Sequence, residues 1–302
     1  MTIRLAKNSD TLSITKIWRE CFTDDSLIIE NFINNCFPYS KTWLLTPTDS
    51  VNPVAILSLL PSYAIPENTI IDGGYVYGVA TLPKFRGRGY SSLLMERAIK
   101  FSKDSGFDYI VVKPASESLF ELYQKQSFDT TIVKTTTKIG TKDWSFDIQN
   151  LSEQTCISVG EKIISDYNLY SLREAELSNS HLLWPKDILT YTIKDAIIKG
   201  GDAVIHLNND RKRALYYIYY PIDEHGETIK IAECNAKIAT EIYPFINFIR
   251  ESLPTVKFIT IEGDRKGYPD LEFITERSAM IKQIGEFSIK TLETLHLSLP
   301  ME

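Results

Sequence analysis

The chain has 302 residues, of which 43% are hydrophobic and 24% charged, with a formal net charge of -6. This length accommodates two ordinary domains or one large one, and the composition is that of a folded, soluble chain rather than a disordered one. The acidic balance argues against nucleic acid or an anionic membrane as the main partner, and no stretch approaches the ~20 apolar residues of a membrane span or reads as a targeting signal. Cys21, Cys36, Cys156 and Cys234 are scattered without metal-ligand spacing. They read as reduced thiols of a cytoplasmic protein with no resident metal, and nothing in the sequence fixes an oligomeric state.

In chain order, Thr2 to Ala6 alternates like a strand, and Asp10 opens a helix with the apolar stripe Ile14, Ile17, Trp18, Cys21 and Phe22. Asp24 or Asp25 caps a second helix with Ile28, Phe32, Ile33 and Cys36 inward, ended by Pro38. Thr42 to Leu45 and Val54 to Leu60 read as a hairpin, and Thr69 to Thr81 as the next strand. Gly73, Gly74 and Gly78 weaken that strand unless a bulge or a close neighbour requires them, and a bulge is expected at Gly78. A helix over 88–104 stops at Gly106, Tyr109 to Val112 is a short buried strand, Ser116 caps a helix that carries Tyr123, and Thr130 to Ile139 closes the first half.

The centre of this pattern is Val79 to Leu94, a strand, a Gly and Arg turn, and a helix whose inward face is Tyr90, Leu93, Leu94, Ala98 and Phe101. The first amides of a helix lack intrahelical partners and the macrodipole makes that end positive, so an anion is welcome there. Gly87 and Gly89 let the backbone approach a ligand closely, and Arg86 and Arg88 add formal charge.

With these residues in this order, the first 140 residues resemble the GNAT (GCN5-related N-acetyltransferase) superfamily. Its signature is Arg or Gln, two residues, Gly, one residue, then Gly or Ala; here Arg86, Gly89 and Ser91 take those places, the last a departure that is still small. A later helix matches at Leu122-Tyr123, with Ser116 where Asn is common and Ser127-Phe128 in place of Gly-Phe. The resemblance implies a mixed, mostly antiparallel sheet flanked by helices (an α/β, more strictly α+β, fold) and an acyltransferase that uses acetyl-coenzyme A as co-substrate. It implies that the amides around Gly87, Arg88, Gly89, Tyr90 and Ser91 hold the pyrophosphate. Backbone groups of Val79, Ala80 and Thr81 would pair with the pantetheine arm and stabilise an oxyanion, and Ser116 would belong to the same site. Tyr123 would protonate the departing thiolate. Asp72, or Glu67, is the carboxylate that could take the acceptor's proton directly or through water. The expected reaction is direct attack by a primary amine of a small molecule or peptide in a ternary complex; a non-catalytic acyl-coenzyme A binding protein and a transferase of another acyl group are the alternatives.

The second half repeats the order of elements without the turn. Thr155 to Tyr170 reads as a helix, Pro185 starts another that Gly200-Gly201 closes, and strands follow at Ala203 to Leu207, Ala214 to Tyr220 and Thr228 to Cys234, joined by turns at Asn208-Asn209-Asp210 and around Gly226. A helix with Ile238, Ile242, Phe245, Ile246 and Ile249 inward precedes strands at Lys257 to Ile261 and Ala279 to Ile284. In place of the phosphate turn stands Glu233-Cys234-Asn235-Ala236, so residues 141–302 are expected to be a degenerate second GNAT-like domain without a coenzyme A site. Tyr216, Tyr217, Tyr219 and Tyr220 read as a sheet surface or as a wall of an acceptor pocket, and His181, His206, His225 and His296 as isolated. The tandem order resembles acetyltransferases of the enhanced intracellular survival type without their third domain, and a catalytic Glu302 terminus ranks low.

Overall fold

A computed structural model of the chain describes residues 1–142, 156–177, 181–207, 214–263, 266–267, 271–286 and 296–297. The Asn208-Asn209-Asp210 turn and Glu302 lie outside them. The first half runs β1 (Thr2–Leu5), α1 (Thr11–Cys21), α2 (Ser26–Asn31), β2 (Lys41–Thr46), β3 (Ala55–Ala64), β4 (Ile71–Thr81), α3 (Tyr90–Asp104), β5 (Tyr109–Val112), α4 (Glu117–Gln124) and β6 (Thr130–Gly140). The second half runs β7 (Cys156–Ser158), α5 (Lys162–Ser165), α6 (Leu169–Leu177), β8 (His181–Leu182), α7 (Lys186–Ile198), β9 (Asp202–Leu207), β10 (Ala214–Pro221), β11 (Thr228–Cys234), α8 (Ala239–Ser252), β12 (Phe258–Glu262), β13 (Ile274–Gln283) and β14 (His296–Leu297).

The apolar stripes fold inward as their spacing requires. Ile14, Ile17 and Trp18 of α1 are buried, and the Asp25 carboxylate accepts the Leu27 amide as the cap of α2. One register shift departs from expectation. Ile29 rather than Ile28 is buried, because α2 passes at Phe32 into a π-helical turn, Phe32–Cys36, whose wider pitch rotates the face it presents.

Among the described residues one 12-stranded sheet runs through both halves in the order β1-β2-β3-β4-β5-β13-β6-β12-β11-β10-β9-β7. Each half lays three antiparallel strands, a helix and a parallel strand: β2, β3 and β4, then α3 and β5; β9, β10 and β11, then α8 and β12. The two units exchange strands at the seam. β13, from the end of the chain, pairs with β5 and β6, and β6, from the first half, pairs with β12. Thus β6 of the first half and β13 of the second each lie between strands of the other half, and the sheet has no open edge at the seam.

Two second-half expectations change. Cys156 to Ser158 is not helical but an edge strand on β9, and Gly160 at φ +51 separates it from α5 and α6. The tyrosines of β10 form neither surface nor pocket: Tyr216 and Tyr217 are fully buried, Tyr219 and Tyr220 nearly so, because helices cover both faces of this strand. Tyr217 stacks on Phe245 of α8 with ring centroids 4.7 Å apart.

His206 on β9 is 3% exposed, and neither ring nitrogen has a hydrogen-bond partner among the described residues. It lies across from Cys156 on β7 and Leu215 on β10. Burial lowers its pKa, so the folded state takes up a proton less readily than the unfolded chain, whose histidine titrates near ~6.5. Stability should therefore be full above about pH 6.5 and fall below it. Urea melts from pH 7.5 down to pH 5 should show the decline, and His206→Phe should flatten it; equal slopes in both proteins would remove His206 as its cause.

Candidate active site

The bulge expected in β4 is present. Ile56 pairs with Ala80 and Ser58 with Tyr77, so Gly78 and Val79 together stand opposite Leu57. Gly78 has φ +59, and a β-carbon there would lie 3.0 Å from the Trp18 ring of α1. This combination of left-handed backbone and close aromatic contact is one only glycine satisfies without strain. On the other side of β4, parallel pairing with β5 covers Gly73 to Val76 and ends there. β5 ends at Val112, opposite Val76, so Tyr77 to Thr81 of β4 keep no strand partner on that side among the described residues. Main-chain groups of Val79 and Ala80 thus border the cleft left where β5 ends.

The cleft leads to the turn. A short 3₁₀ segment, Pro83–Phe85, is followed by Arg86, whose Nε donates to the carbonyl oxygen of Thr81 at 3.1 Å and fastens the turn to the end of β4. Gly87 and Gly89 have φ +76 and +75, and α3 begins at Tyr90 with Gly89 as its cap. A β-carbon on either glycine would meet nothing within 4 Å. The glycines are therefore required by the backbone conformation, and open space lies beside them and the first amides of α3. Arg88 forms an ion pair with Asp49 (2.9 Å) and lies 5.1 Å from the centre of the Phe85 ring. Its guanidinium lowers the pKa of the exposed Asp49 carboxylate. Nothing in the residue pattern pointed to Asp49, which sits in the loop between β2 and β3.

Tyr123 lies on α4 beyond β5, 7% exposed, with its ring edge-on to Phe128 at 5.8 Å. Burial pushes its hydroxyl up to about 12, so the phenol keeps its proton at neutral pH and is available as an acid or a hydrogen-bond donor. α4 is joined to the start of α3 by Gln126 Nε2, which donates to Ser92 Oγ at 3.3 Å. Ser127, where the GNAT pattern has Gly, takes φ +61, and Lys282 Nζ donates to its carbonyl. Ser116 precedes α4 as its cap residue, but its hydroxyl meets Ser118 Oγ at 3.0 Å rather than a helix amide.

The carboxylates are placed elsewhere. Asp72 is exposed at the start of β4, where its carbonyl accepts the Asp108 amide. Seven residue steps along the strand separate it from Val79, roughly 23 Å at ~3.3 Å per residue. Glu67 is exposed in a turn before that strand at φ +50. Thus Gly78 to Ser91 are contiguous along β4 and the turn, Gln126 ties the segment after α4 to Ser92 at the start of α3, and Asp72 and Glu67 lie apart from them.

A contribution from the second half was not legible in the sequence. Tyr77, beside the bulge, shares a 2.8 Å hydrogen bond between hydroxyls with Tyr191 of α7, and Asn31 of α2 donates to the Tyr191 carbonyl. Trp18, Phe32, Tyr77 and Tyr191 pack as one aromatic cluster, so α7 buttresses the wall of the cleft from 114 residues away.

Residues 11–128 match the Acetyltransferase (GNAT) family. The chain carries a GNAT acetyltransferase domain. The match spans α1 to Phe128 and so takes in the bulge, the glycine turn and Tyr123. Among solved structures, a probable N-acyltransferase of Enterococcus faecalis V583, described as a conserved protein of unknown function, aligns at 15% identity over 94% of this chain and 72% of its own, with a TM-score of 0.76. Eis1 from Mycobacterium abscessus aligns at 11% identity over 94% of this chain and 74% of its own (TM-score 0.65). A tandem GNAT protein from the clavulanic acid biosynthesis pathway aligns at 10% identity over 95% and 99% (TM-score 0.56). These likenesses extend the GNAT fold over both halves. No curated protein sequence matches the chain. Among the described residues no group of His, Cys, Asp or Glu has the arrangement of a metal site, and no helix is long and apolar enough to cross a membrane.

Proposed function

We propose that the protein is an acetyl-coenzyme A dependent N-acetyltransferase that acts on a primary amine of a small molecule or peptide. Its one active site lies in residues 1–140, and residues 141–302 form a degenerate second GNAT-like domain. The observation that carries this reading is the continuity of the β4 bulge, the edge of Val79 and Ala80 without a strand partner, and the open space beside Gly87 and Gly89 at the start of α3. That cradle fits a diphosphate at one end and an extended amide chain along the strand. Coenzyme A would bring the acyl group as a thioester. The amides of Gly87 to Ser91 would hold its diphosphate, with Arg86 and Arg88 supplying charge, and the main chain of Val79 to Thr81 would align its arm. A main-chain amide near Val79 or Ala80 is available for the oxyanion that forms when the amine attacks. Tyr123, protonated at neutral pH, is suited to donate to the departing thiolate. With Asp72 roughly 23 Å along the strand, an acceptor arriving as the neutral amine needs no carboxylate base. The four free thiols are in keeping with work in the cytoplasm.

The counterpart of the phosphate turn in the second half, Glu233 to Ala236, has neither glycine nor arginine. Asn235 accepts the Tyr216 amide and donates to the Ala214 carbonyl, both at 2.9 Å, and so extends the pairing of β11 with β10. Glu233 is taken by Arg173. This supports a single donor site.

Calorimetry with acetyl-coenzyme A on wild type and Arg86→Glu tests the donor site, and equal affinity in the two proteins would sink it. Tyr123→Phe should lower kcat on the order of 10²-fold or more and leave donor affinity within about twofold. The burial of Tyr123 at 7% exposure favours one second reading, a non-catalytic acyl-coenzyme A binding protein. Tight donor binding without thiol release across a broad panel of amines would select it.

A further inference from the structure

Tyr123 stands on a helix whose two ends are held by one strand of the other half. β13 lies between β5 and β6, and its pairing with β6 shifts register between Arg277 and Ala279: Ala279 stands opposite Ile132, and Arg277 opposite Val133. Ser278 is the extra residue of a bulge. Side chains alternate along a strand, so without the bulge Arg277 would share a face with Ala279 and Ile281; with it, Arg277 turns to the face of Met280 and Lys282. That face meets α4.

At the start of α4, the Arg277 guanidinium pairs with the Glu117 carboxylate and lies 4.3 Å from the centre of the Phe120 ring. At the other end, Lys282 Nζ donates to the carbonyl oxygens of Gln126 and Ser127, at 3.1 and 3.3 Å, in the turn that follows the helix. The two spans agree. From Glu117 to Gln126 the chain advances about 13 Å at ~1.5 Å per residue, and Arg277 to Lys282, five steps less the bulge, is also about 13 Å at ~3.3 Å per step. The macrodipole makes the carbonyl end of a helix negative, so the Lys282 ammonium suits that end as the Glu117 carboxylate suits the opposite one. Phe120 and Tyr123 are both buried and, three residues apart, share a side of α4. Gln126 also donates to Ser92 in the first turn of α3. One chain of contacts thus runs from Lys282 through Gln126 to the helix start beside the glycine turn.

We propose that Arg277 and Lys282 are positioning residues for Tyr123, so that the second half sets the acid of the first. This role rests on the acetyltransferase reading above. In that reaction the C–N bond forms as the C–S bond breaks, the sulfur takes the phenol's proton, and the proton lost by the amine, carried by water, restores the phenol. The phenol must then stand within hydrogen-bond reach of the sulfur. A shift of about 1 Å in such a group can cost on the order of 10²-fold in rate. Contacts at both ends of α4 restrain sliding as well as tilt.

The test is a mutant cycle on thiol release from acetyl-coenzyme A, with hydroxylamine as a neutral amine that needs no pocket of its own. Arg277→Met combined with Lys282→Met should lower kcat at least ~10-fold and leave KM for the donor within about threefold. In a Tyr123→Phe background the same pair should lower kcat by less than about twofold, because residues that act through one group are not additive. A pair that merely supported the fold would slow both backgrounds alike. Equal losses in the two backgrounds, an unchanged kcat, or a loss confined to KM each overturn the proposal while the transferase stands. Should the double variant melt below the assay temperature, Lys282→Met alone carries the same cycle, with an expected loss of at least about threefold. Absence of release by wild type, with hydroxylamine and across the amine panel, sinks the transferase reading and this role with it.

Discussion

Replacing Glu233 by Leu should cost roughly 3–5 kcal/mol of stability, and replacing Arg173 by Met a similar amount. The two residues are 2% and 1% exposed, and they make a two-point ion pair: Arg173 Nε donates to Oε1 at 2.7 Å and Nη2 to Oε2 at 2.9 Å. The Tyr216 hydroxyl donates to the same Oε1 at 2.8 Å. Removing either partner leaves a desolvated charge that nothing nearby neutralises, whereas the paired state loses little to water. For a fold whose total stability is on the order of 5–15 kcal/mol, either single change approaches unfolding. The double variant Arg173→Met, Glu233→Leu should recover most of the loss, because two apolar side chains of similar volume need no partner. Urea melts on the four proteins give the coupling directly. Additive losses in the double variant would contradict a buried, mutually compensated pair.

The second large effect is expected at Gly89. Gly89→Val should lower affinity for acetyl-coenzyme A by at least ~100-fold, about 2.7 kcal/mol, and stability by only ~1–2 kcal/mol, the usual cost of a left-handed backbone for a residue with a β-carbon. The two costs separate because the space beside Gly89 is open: its β-carbon would touch no protein atom within 4 Å, so the new side chain would clash with a ligand and not with the fold. Gly78→Val is the useful contrast. There the β-carbon would press on Trp18 at 3.0 Å, so the damage should fall on folding as well as on binding. Calorimetry beside a thermal melt reads both quantities. Unchanged donor affinity in folded Gly89→Val would remove the glycine turn from the donor site.

The parts of the fold legible in the chain were those encoded by local periodicity. The α1 stripe, the Asp25 cap, the strand Tyr109–Val112 and the helices before Gly106 and Gly200 follow from side-chain spacing and from residues that tolerate left-handed backbone. The bulge at Gly78 was legible for the same reason, since glycine in a buried strand needs a cause. Cys156 to Ser158 was misread because three residues at a sheet edge carry no period of their own; their conformation is set by pairing with β9, 46 to 50 residues later. The β10 tyrosines were misread because alternation shows that a strand has two faces but not what covers them.

By itself, the sequence determined where a phosphate could sit. Arg86, Gly87, Arg88, Gly89 and the helix start are contiguous, so chain geometry alone brings their amides and charges together. It also determined that the second half lacks that arrangement. Only the tertiary structure decided what surrounds the cradle, because those contacts close loops of a hundred residues or more that no local pattern encodes. They include the Tyr77–Tyr191 bond that ties α7 to the cleft wall and the exchange of β6 and β13 that joins both halves in one sheet.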